Sequence, residues 1–362
     1  MPTFVFYLLT LAVFGAIYGT LAMGLNIQWG YTGILDFMYI AFVAVGGYVT
    51  SLLMMPAALP GSGFQYILGL NWPFIPALLV GGLAAALLAL IVGLLSLNRL
   101  RSDYFAIVTV AVSLVLYTIA GNDTPLVNGW DGISGIPQPF QDTLNLDYSS
   151  YQFFFLGLCL VILIIVYIFS ERLYRSPFGR ALRSVREDEM VAEGLGKNVF
   201  ALRLKAFVIG AFIAGIGGSM LVIYVDAFNP SAWTTGETFF LWAALLLGGS
   251  ANNRGAMLGA LIVPVLFAEI TRFLPAFGSP QVVNAFRYIA IGILLILTVR
   301  FRPQGVLAEK RFRVRKSKLR QIEPALASAS PGMHITDADM ADDPGTLADS
   351  TTPLQDEEGK TL

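Results

Sequence analysis

The sequence predicts an all-α integral membrane protein: a polytopic helical bundle of about 8–10 spans, with re-entrant half-helices as an alternative for the shorter runs. The first observation is composition, since the 362 residues are 56% hydrophobic and only 13% charged, with a mean hydropathy of +0.69. The second is six charge-free runs, each close to the roughly 20 residues that an α-helix needs to cross a bilayer. These runs are 4–25, 37–55, 74–97, 104–121, 153–169 and 206–225.

Three later apolar runs are shorter or interrupted. They cover 238–251, 255–268 and 282–299, and the last contains Arg287. Such runs are typical both of short spans and of half-helices that enter and leave on one side, and the sequence leaves both interpretations open. The same ambiguity applies to 33–55.

The distribution of basic residues predicts the topology. Two Lys or Arg lie in 98–103, eight in 171–205 and nine in 300–320, whereas 122–152 contains four Asp and no basic residue. Because basic loops remain in the cytoplasm, the chain is expected to cross nine times, with the N-terminus outside and the C-terminus inside.

The composition changes after the last apolar run. We assign 1–305 to the transmembrane domain, 306–320 to a basic juxtamembrane segment and 321–362 to a disordered cytoplasmic tail with nine acidic residues and one basic residue. The basic segment is expected to lie against anionic lipid rather than nucleic acid. The only histidine, His334, lies in the tail, so we expect no histidine metal site, no catalytic residue and no cofactor.

The loop 171–205 contains both acidic and basic residues, and its apolar residues recur at helical spacing. Apolar residues between Gly179 and Leu195 form one stripe, and Gly196 is placed to end the helix. We therefore expect one short amphipathic helix. Its acidic residues oppose binding to anionic lipid and favour docking onto a soluble protein partner.

The same loop resembles a known segment. RSPFGRALRSVREDEMVAEGLGKNVFALRLKAF (175–207) is similar to the coupling loop of branched-chain amino-acid ABC importer permeases of the LivM type. Further similar stretches follow in the family's order: GLNIQWGYTGILDFMYIAFVAVGGYVTSLL (24–53), LRSDYFAIVTVAVS (100–113), NGWDGISGIP (128–137), LLLGGSANNRGAMLGALI (245–262) and FRPQGVL (301–307).

The resemblance implies a permease subunit in a prokaryotic inner membrane. Its partners would be a second homologous permease, two cytoplasmic ABC ATPases that hydrolyse ATP, and an extracytoplasmic solute-binding protein. The loop helix would transmit ATPase closure to the spans, which alternate between outward and inward openings. The coupling residues implied are Gly179, Arg180, Arg183, Glu187, Asp188, Glu189, Glu193 and Gly196.

Polar residues near the second run are candidates for the translocation path. We assign Asn26, Tyr31 and Asp36 to it, although Asp36 also fits an outer membrane interface. The family usually has a small polar residue and a histidine where this chain has Asp36-Phe37-Met38-Tyr39, so its substrate preference is open.

Alternative functions remain at this point. Permeases for urea and short-chain amides have nearly the same motifs, and an ion-coupled secondary carrier working alone is a more distant candidate. Small residues recur every four positions in 74–97 and 206–225. They favour close packing of helices within the bundle over a dimerisation face.

Overall fold

The computed structural model describes residues 3–58, 66–267, 280–301 and 304–309. Within them the chain is helical almost throughout, which confirms the predicted fold class. The helices that carry the apolar runs are α1 (Thr3–Leu25), α2 (Tyr39–Met54), α3 (Phe74–Ser96), α4 (Ser102–Asn122), α7 (Tyr148–Arg175), α10 (Val199–Val225), α11 (Thr235–Gly248), α12 (Asn253–Ala260) and α13 (Pro280–Phe301). Among the described residues, five helices are long and apolar enough to span a membrane: α1, α3, α4, α7 and α10.

Shorter elements lie in the connections. They are α5 (Thr124–Val127), α6 (Gln141–Leu144), α8 (Pro177–Glu187), α9 (Glu189–Gly194) and the strands β1 (Ile133–Ser134) and β2 (Ala227–Phe228). Two π-helical turns, Asn26–Gly30 and Leu261–Phe267, extend α1 and α12.

Helices α2, α3 and α10 pack against one another at the centre of the bundle. At Gly215 of α10, a side chain would lie 2.9 Å from Gly82 Cα and 2.8 Å from Ala85 Cβ of α3. A side chain at Gly46 of α2 would in turn overlap the Gly215 backbone. Ser219 adds a hydrogen bond of 2.6 Å to Thr50. The small residues of both runs therefore pack inside the chain, as predicted.

One end of the bundle, here called the acidic face, carries the loops 123–147 and 226–234. The antiparallel pair β1–β2 joins them, with Ile133 opposite Phe228. Tyr48, near the end of α2, packs on Phe228 at 4.8 Å between ring centroids. Phe6 of α1 stacks on Tyr148 of α7, so α1 and α7 both begin at this face.

The opposite end, the basic face, carries the loops 97–101, 176–198 and 249–252. Arg203 at the start of α10 donates to Ser102 at the start of α4. The turn between α11 and α12 meets the segment 304–309, since the N–H of Val306 donates to Leu247 O at 2.8 Å and that of Leu307 to Gly248 O at 3.0 Å. Loops that the sequence predicts on one side of the membrane thus share one face.

The segment 33–55 runs between the two faces rather than returning to one. Gly33 lies beside Arg186 of the basic-face loop, and Tyr48 packs on Trp233 at the acidic face. The α11–α12 hairpin also begins at the acidic face and turns at the basic face. Its continuation after residue 267 lies outside the described residues.

The predicted boundary at 305 falls within the described segment 304–309. Residues 306–309, assigned to the juxtamembrane segment, hydrogen-bond to the α11–α12 turn. The rest of that segment and the tail 321–362 lie outside the described residues, so those assignments stay predictions.

The central packing is testable with a pair of glycine substitutions. Gly46→Ala should lower the apparent Tm of the purified protein, by the equivalent of about 1–3 kcal/mol, because the new methyl group overlaps α10. The matched change Gly157→Ala lies on an open face of α7 with nothing within 4 Å and should leave Tm unchanged or raise it. Equal Tm values for the two variants, measured by scanning fluorimetry in detergent, would contradict this packing.

Candidate functional site: the helix break and the loop 171–205

Tyr31 and Thr32 continue the helix after the π-turn of α1, and residues 33–38 are not helical before α2 begins. Helix α2 has only 16 residues, about 24 Å at 1.5 Å per residue, so an extended stretch completes its crossing. Gly33 initiates this stretch with φ +72°, a conformation that glycine adopts without strain. We call residues 33–38 the helix break.

Side chains from distant helices bind the backbone groups that the break exposes. The N–H of Phe37 donates to Thr109 Oγ1 of α4 at 3.2 Å. Trp242 of α11 donates its indole N–H to the carbonyl of Asp36 at 2.9 Å. Inside a bilayer such groups require protein partners, because no water replaces them. Side chains of α4 and α11 therefore stabilise the break as a defined part of the bundle.

Asp36 lies in this break and is completely buried. Its Oδ1 accepts the N–H of Met38 at 2.9 Å, while Oδ2 has no hydrogen-bond partner in the described part of the chain. The sequence offered an outer interface as one position for this residue. The structure instead places it inside the bundle.

Asn26 and Tyr31 belong to a second polar group, towards the basic face. The amide of Asn26 and the hydroxyl of Tyr31 both donate to Asn253 Oδ1, at 3.0 and 2.6 Å. Asn253 Nδ2 donates in turn to Glu171 at 3.1 Å. Asn26 Oδ1 also accepts the N–H of Ala251 at 2.8 Å. We call these residues the asparagine network. It ties α1 and the residues just before the break to α7 and to the α11–α12 turn.

The loop 171–205 contains two helices, not the single helix expected from Gly179 to Leu195. The chain becomes extended at Asp188, with φ −155°, and helix α9 begins there anew. The reason is local: Asp188 Oδ1 accepts the N–H of Val191 at 3.0 Å, and such a cap competes with continuation of the previous helix. Gly196 has φ +74°, consistent with the predicted stop.

Helix α8 is fixed against the bundle at both of its ends. At the first, Gly179 packs so closely on the last carbonyls of α7 that a side chain would overlap Leu173 O. At the second, Arg186 donates to the carbonyl of Gly30, where the π-turn ends, and pairs with Glu309 at 2.7 Å. The loop is thus joined directly to the helix break and to the segment 304–309.

Helix α9 buries one residue and exposes an apolar patch. Ala192 packs on Val185 and Val199, whereas Met190, Val191 and Leu195 are 81%, 59% and 73% exposed. We call these three residues the α9 patch.

The predicted coupling residues differ in the groups that they contact. Glu189 forms an ion pair with Arg203, and Arg183 lies over the Tyr174 ring at 4.1 Å. Arg180 donates to Arg175 O at 3.2 Å. The remaining exposed members are Glu187, Asp188, Glu193 and Gly196.

Comparison with known proteins gives the family. The family model described as "Branched-chain amino acid transport system / permease component" matches residues 7–299. The chain belongs to this family. It is a multi-pass transport permease, as the resemblance in its motifs indicates. No solved structure is a significant match to the chain.

Curated relatives carry the names of two permease types. The probable LivM permease of Methanocaldococcus jannaschii is 31% identical over 323 residues, covering 81% of this chain and 91% of that protein. LivM of Escherichia coli K12 is 31% identical over 321 residues, covering 83% and 70%. The probable LivH permease of M. jannaschii is 27% identical over 294 residues, covering 79% and 87%.

The sequence analysis of this permease did not identify three residues that hold the helix break and the asparagine network in place. Arg186 looked like one charge among many in the loop, and Asn253 and Trp242 lie more than 200 positions from the residues that they bind. Asn253 lies in the polar turn between the apolar runs 238–251 and 255–268, where polar residues are ordinary, so no local pattern marks it or its partner.

The asparagine network should contribute measurably to stability. Asn253→Leu removes the shared acceptor and leaves Asn26 and Tyr31 buried with lost hydrogen bonds, at a cost of about 1–3 kcal/mol. The control Asn122→Leu affects an amide that bonds only within its own helix. We expect a lower apparent Tm for the first variant alone, and a comparable loss in both would refute a special role for the network.

Proposed function

We propose that this chain is the permease subunit of an ATP-driven importer for branched-chain or other hydrophobic amino acids in a prokaryotic inner membrane. The observation that carries the proposal is the family match over residues 7–299, together with relatives named LivM. Its partners are a second homologous permease, two cytoplasmic ABC ATPases and an extracytoplasmic solute-binding protein.

The proposed orientation places the basic face in the cytoplasm. The loops at that face and the adjoining helix ends contain Arg99, Arg101, the eight basic residues of 171–205 and Arg254, and such basic segments are retained inside. The N-terminus then lies outside, and the acidic face receives the solute-binding protein.

The proposed coupling path begins at the α9 patch. Exposed apolar side chains on a short helix fit a hydrophobic groove, here on the ATPase. Movement of α9 passes to α8 through the Val185–Ala192 contact, and α8 holds the helix break through Arg186 and Gly30. ATPase closure therefore displaces the break, the least regular part of the bundle, and the spans alternate between two openings.

Uptake by the assembled complex tests the function. The chain should co-purify from native membranes with an ATPase and a second permease, and the reconstituted complex should take up leucine only with ATP and the binding protein. Uptake of urea or a short-chain amide in place of leucine would move the assignment to that class. Purification of the chain alone, with uptake that needs no ATP, would favour a secondary carrier.

Substitutions in the α9 patch test the coupling path. Met190→Glu and Leu195→Glu place charges in the proposed groove and should weaken ATPase retention at least about tenfold. Gly196→Pro should do the same, because proline cannot adopt φ +74° and lacks the N–H that Gly196 donates to Glu193 O at 2.8 Å.

The matched control is Leu144→Glu, which adds the same charge at an exposed apolar residue of the acidic face. It should retain the ATPase fully. ATPase retention equal to wild type in all three loop variants, measured by pull-down, would reject the coupling assignment.

A further inference from the structure

Asp36 is a buried acid, and only one of its two carboxyl oxygens forms a hydrogen bond that stabilises the break. Oδ1 accepts the N–H of Met38, an arrangement that asparagine or serine provides equally well. Oδ2 is buried without a partner among the described residues. A carboxylate is a costly choice for a turn at membrane depth when a neutral residue would serve.

No described cation balances this acid. The described ion pairs join Arg175 to Glu171, Arg186 to Glu309 and Arg203 to Glu189, and none of them involves Asp36. Along the chain the first basic residue is Arg99. A negative charge on Asp36 would therefore lack a partner among the described residues.

Four aromatic residues cluster beside Asp36: Phe37 follows it in the chain, and Trp242 binds its backbone carbonyl. Phe37 packs on Trp242 and on Phe239, with centroids 5.3 and 5.4 Å apart, and Trp29 packs on Trp242 at 5.1 Å. Phe239 is 43% exposed, while Phe37 and Trp29 are half-buried. We call these four residues the aromatic cover. The buried Asp36 is thus adjacent in the fold to a partly exposed aromatic cluster.

A carboxylate close to aromatic rings is a chemistry that recognises an ammonium group, through an ion pair and cation–π attraction. Urea and neutral amides carry no charge to balance the acid. A deaminated carboxylate would be repelled.

We propose that Asp36 binds the primary ammonium group of the transported solute when the aromatic cover opens, and that it makes the permease itself selective for amines and amino acids over neutral amides. This inference rests on the proposed function, because it places the break on the transport path. It assigns the selectivity to this chain, separately from that of the solute-binding protein.

The test is equilibrium binding to the purified complex of both permeases and both ATPases, without the binding protein. Radiolabelled leucine is the ligand, and the competitors are isoamylamine, which has the ammonium group alone, isocaproate, which has the carboxylate alone, and the neutral isovaleramide. We expect isoamylamine to compete with leucine, and the other two to compete at least about tenfold more weakly.

Asp36→Asn and Asp36→Ser keep the turn and remove the charge. Both variants should lose at least about tenfold in affinity for leucine and isoamylamine, with Tm values that show a folded complex. Asp147→Asn, an exposed acid at the acidic face, should bind as wild type does. The charge is then what matters, and not the fold of the break.

Three outcomes would overturn the inference: unchanged leucine affinity in both Asp36 variants, competition by isovaleramide as strong as that by isoamylamine, or no binding of either ammonium ligand to the wild-type complex. If any of them occurs while wild-type uptake still requires ATP and the binding protein, the proposed function stands without this selectivity. Absence of an ATPase partner would instead remove the proposed function itself.

Discussion

The structure depends on how the protein satisfies the backbone of the helix break. A helix supplies its own hydrogen bonds, so most of the bundle needs only apolar side chains to fit the membrane. Residues 33–38 do not, and they recruit Thr109 from α4 and Trp242 from α11. Those contacts fix the positions of α4 and α11 relative to α2. One irregular stretch therefore determines how helices from three parts of the chain are arranged around it.

The rest of the bundle supplies rigidity around this irregular stretch. Helices α2, α3 and α10 approach at Gly46, Gly82 and Gly215 so closely that no side chain fits between them. Without a hydrophobic driving force between helices in lipid, such contact and the Thr50–Ser219 hydrogen bond stabilise association. The centre of the bundle is therefore tightly packed, whereas few backbone hydrogen bonds stabilise the helix break beside it. Conformational change is then concentrated at the break and at the segments that contact it.

The sequence predicted the features that depend on neighbouring residues. Charge-free runs located α1, α3, α4, α7 and α10, because membrane insertion selects length and composition locally. The left-handed conformation of Gly196 followed from its place at the end of an apolar stripe. The division of the loop at Asp188 was not predicted, since a helical pattern continues through it and one side chain decides the outcome. The asparagine network could not be predicted from the sequence for a different reason. Asn26 and Asn253 come into contact only in the assembled bundle.

The segment 304–309 has a consequence for biosynthesis. Its N–H groups bind the carbonyls of Leu247 and Gly248, and Glu309 pairs with Arg186, so the α11–α12 turn and the loop gain these partners only when translation has passed α13. Until then, the carbonyls of Leu247 and Gly248 and the guanidinium of Arg186 lack the partners that residues 306–309 provide. Completion of the basic face thus coincides with the end of membrane insertion, and a chain arrested before residue 304 exposes an unfinished surface that cellular quality control can recognise.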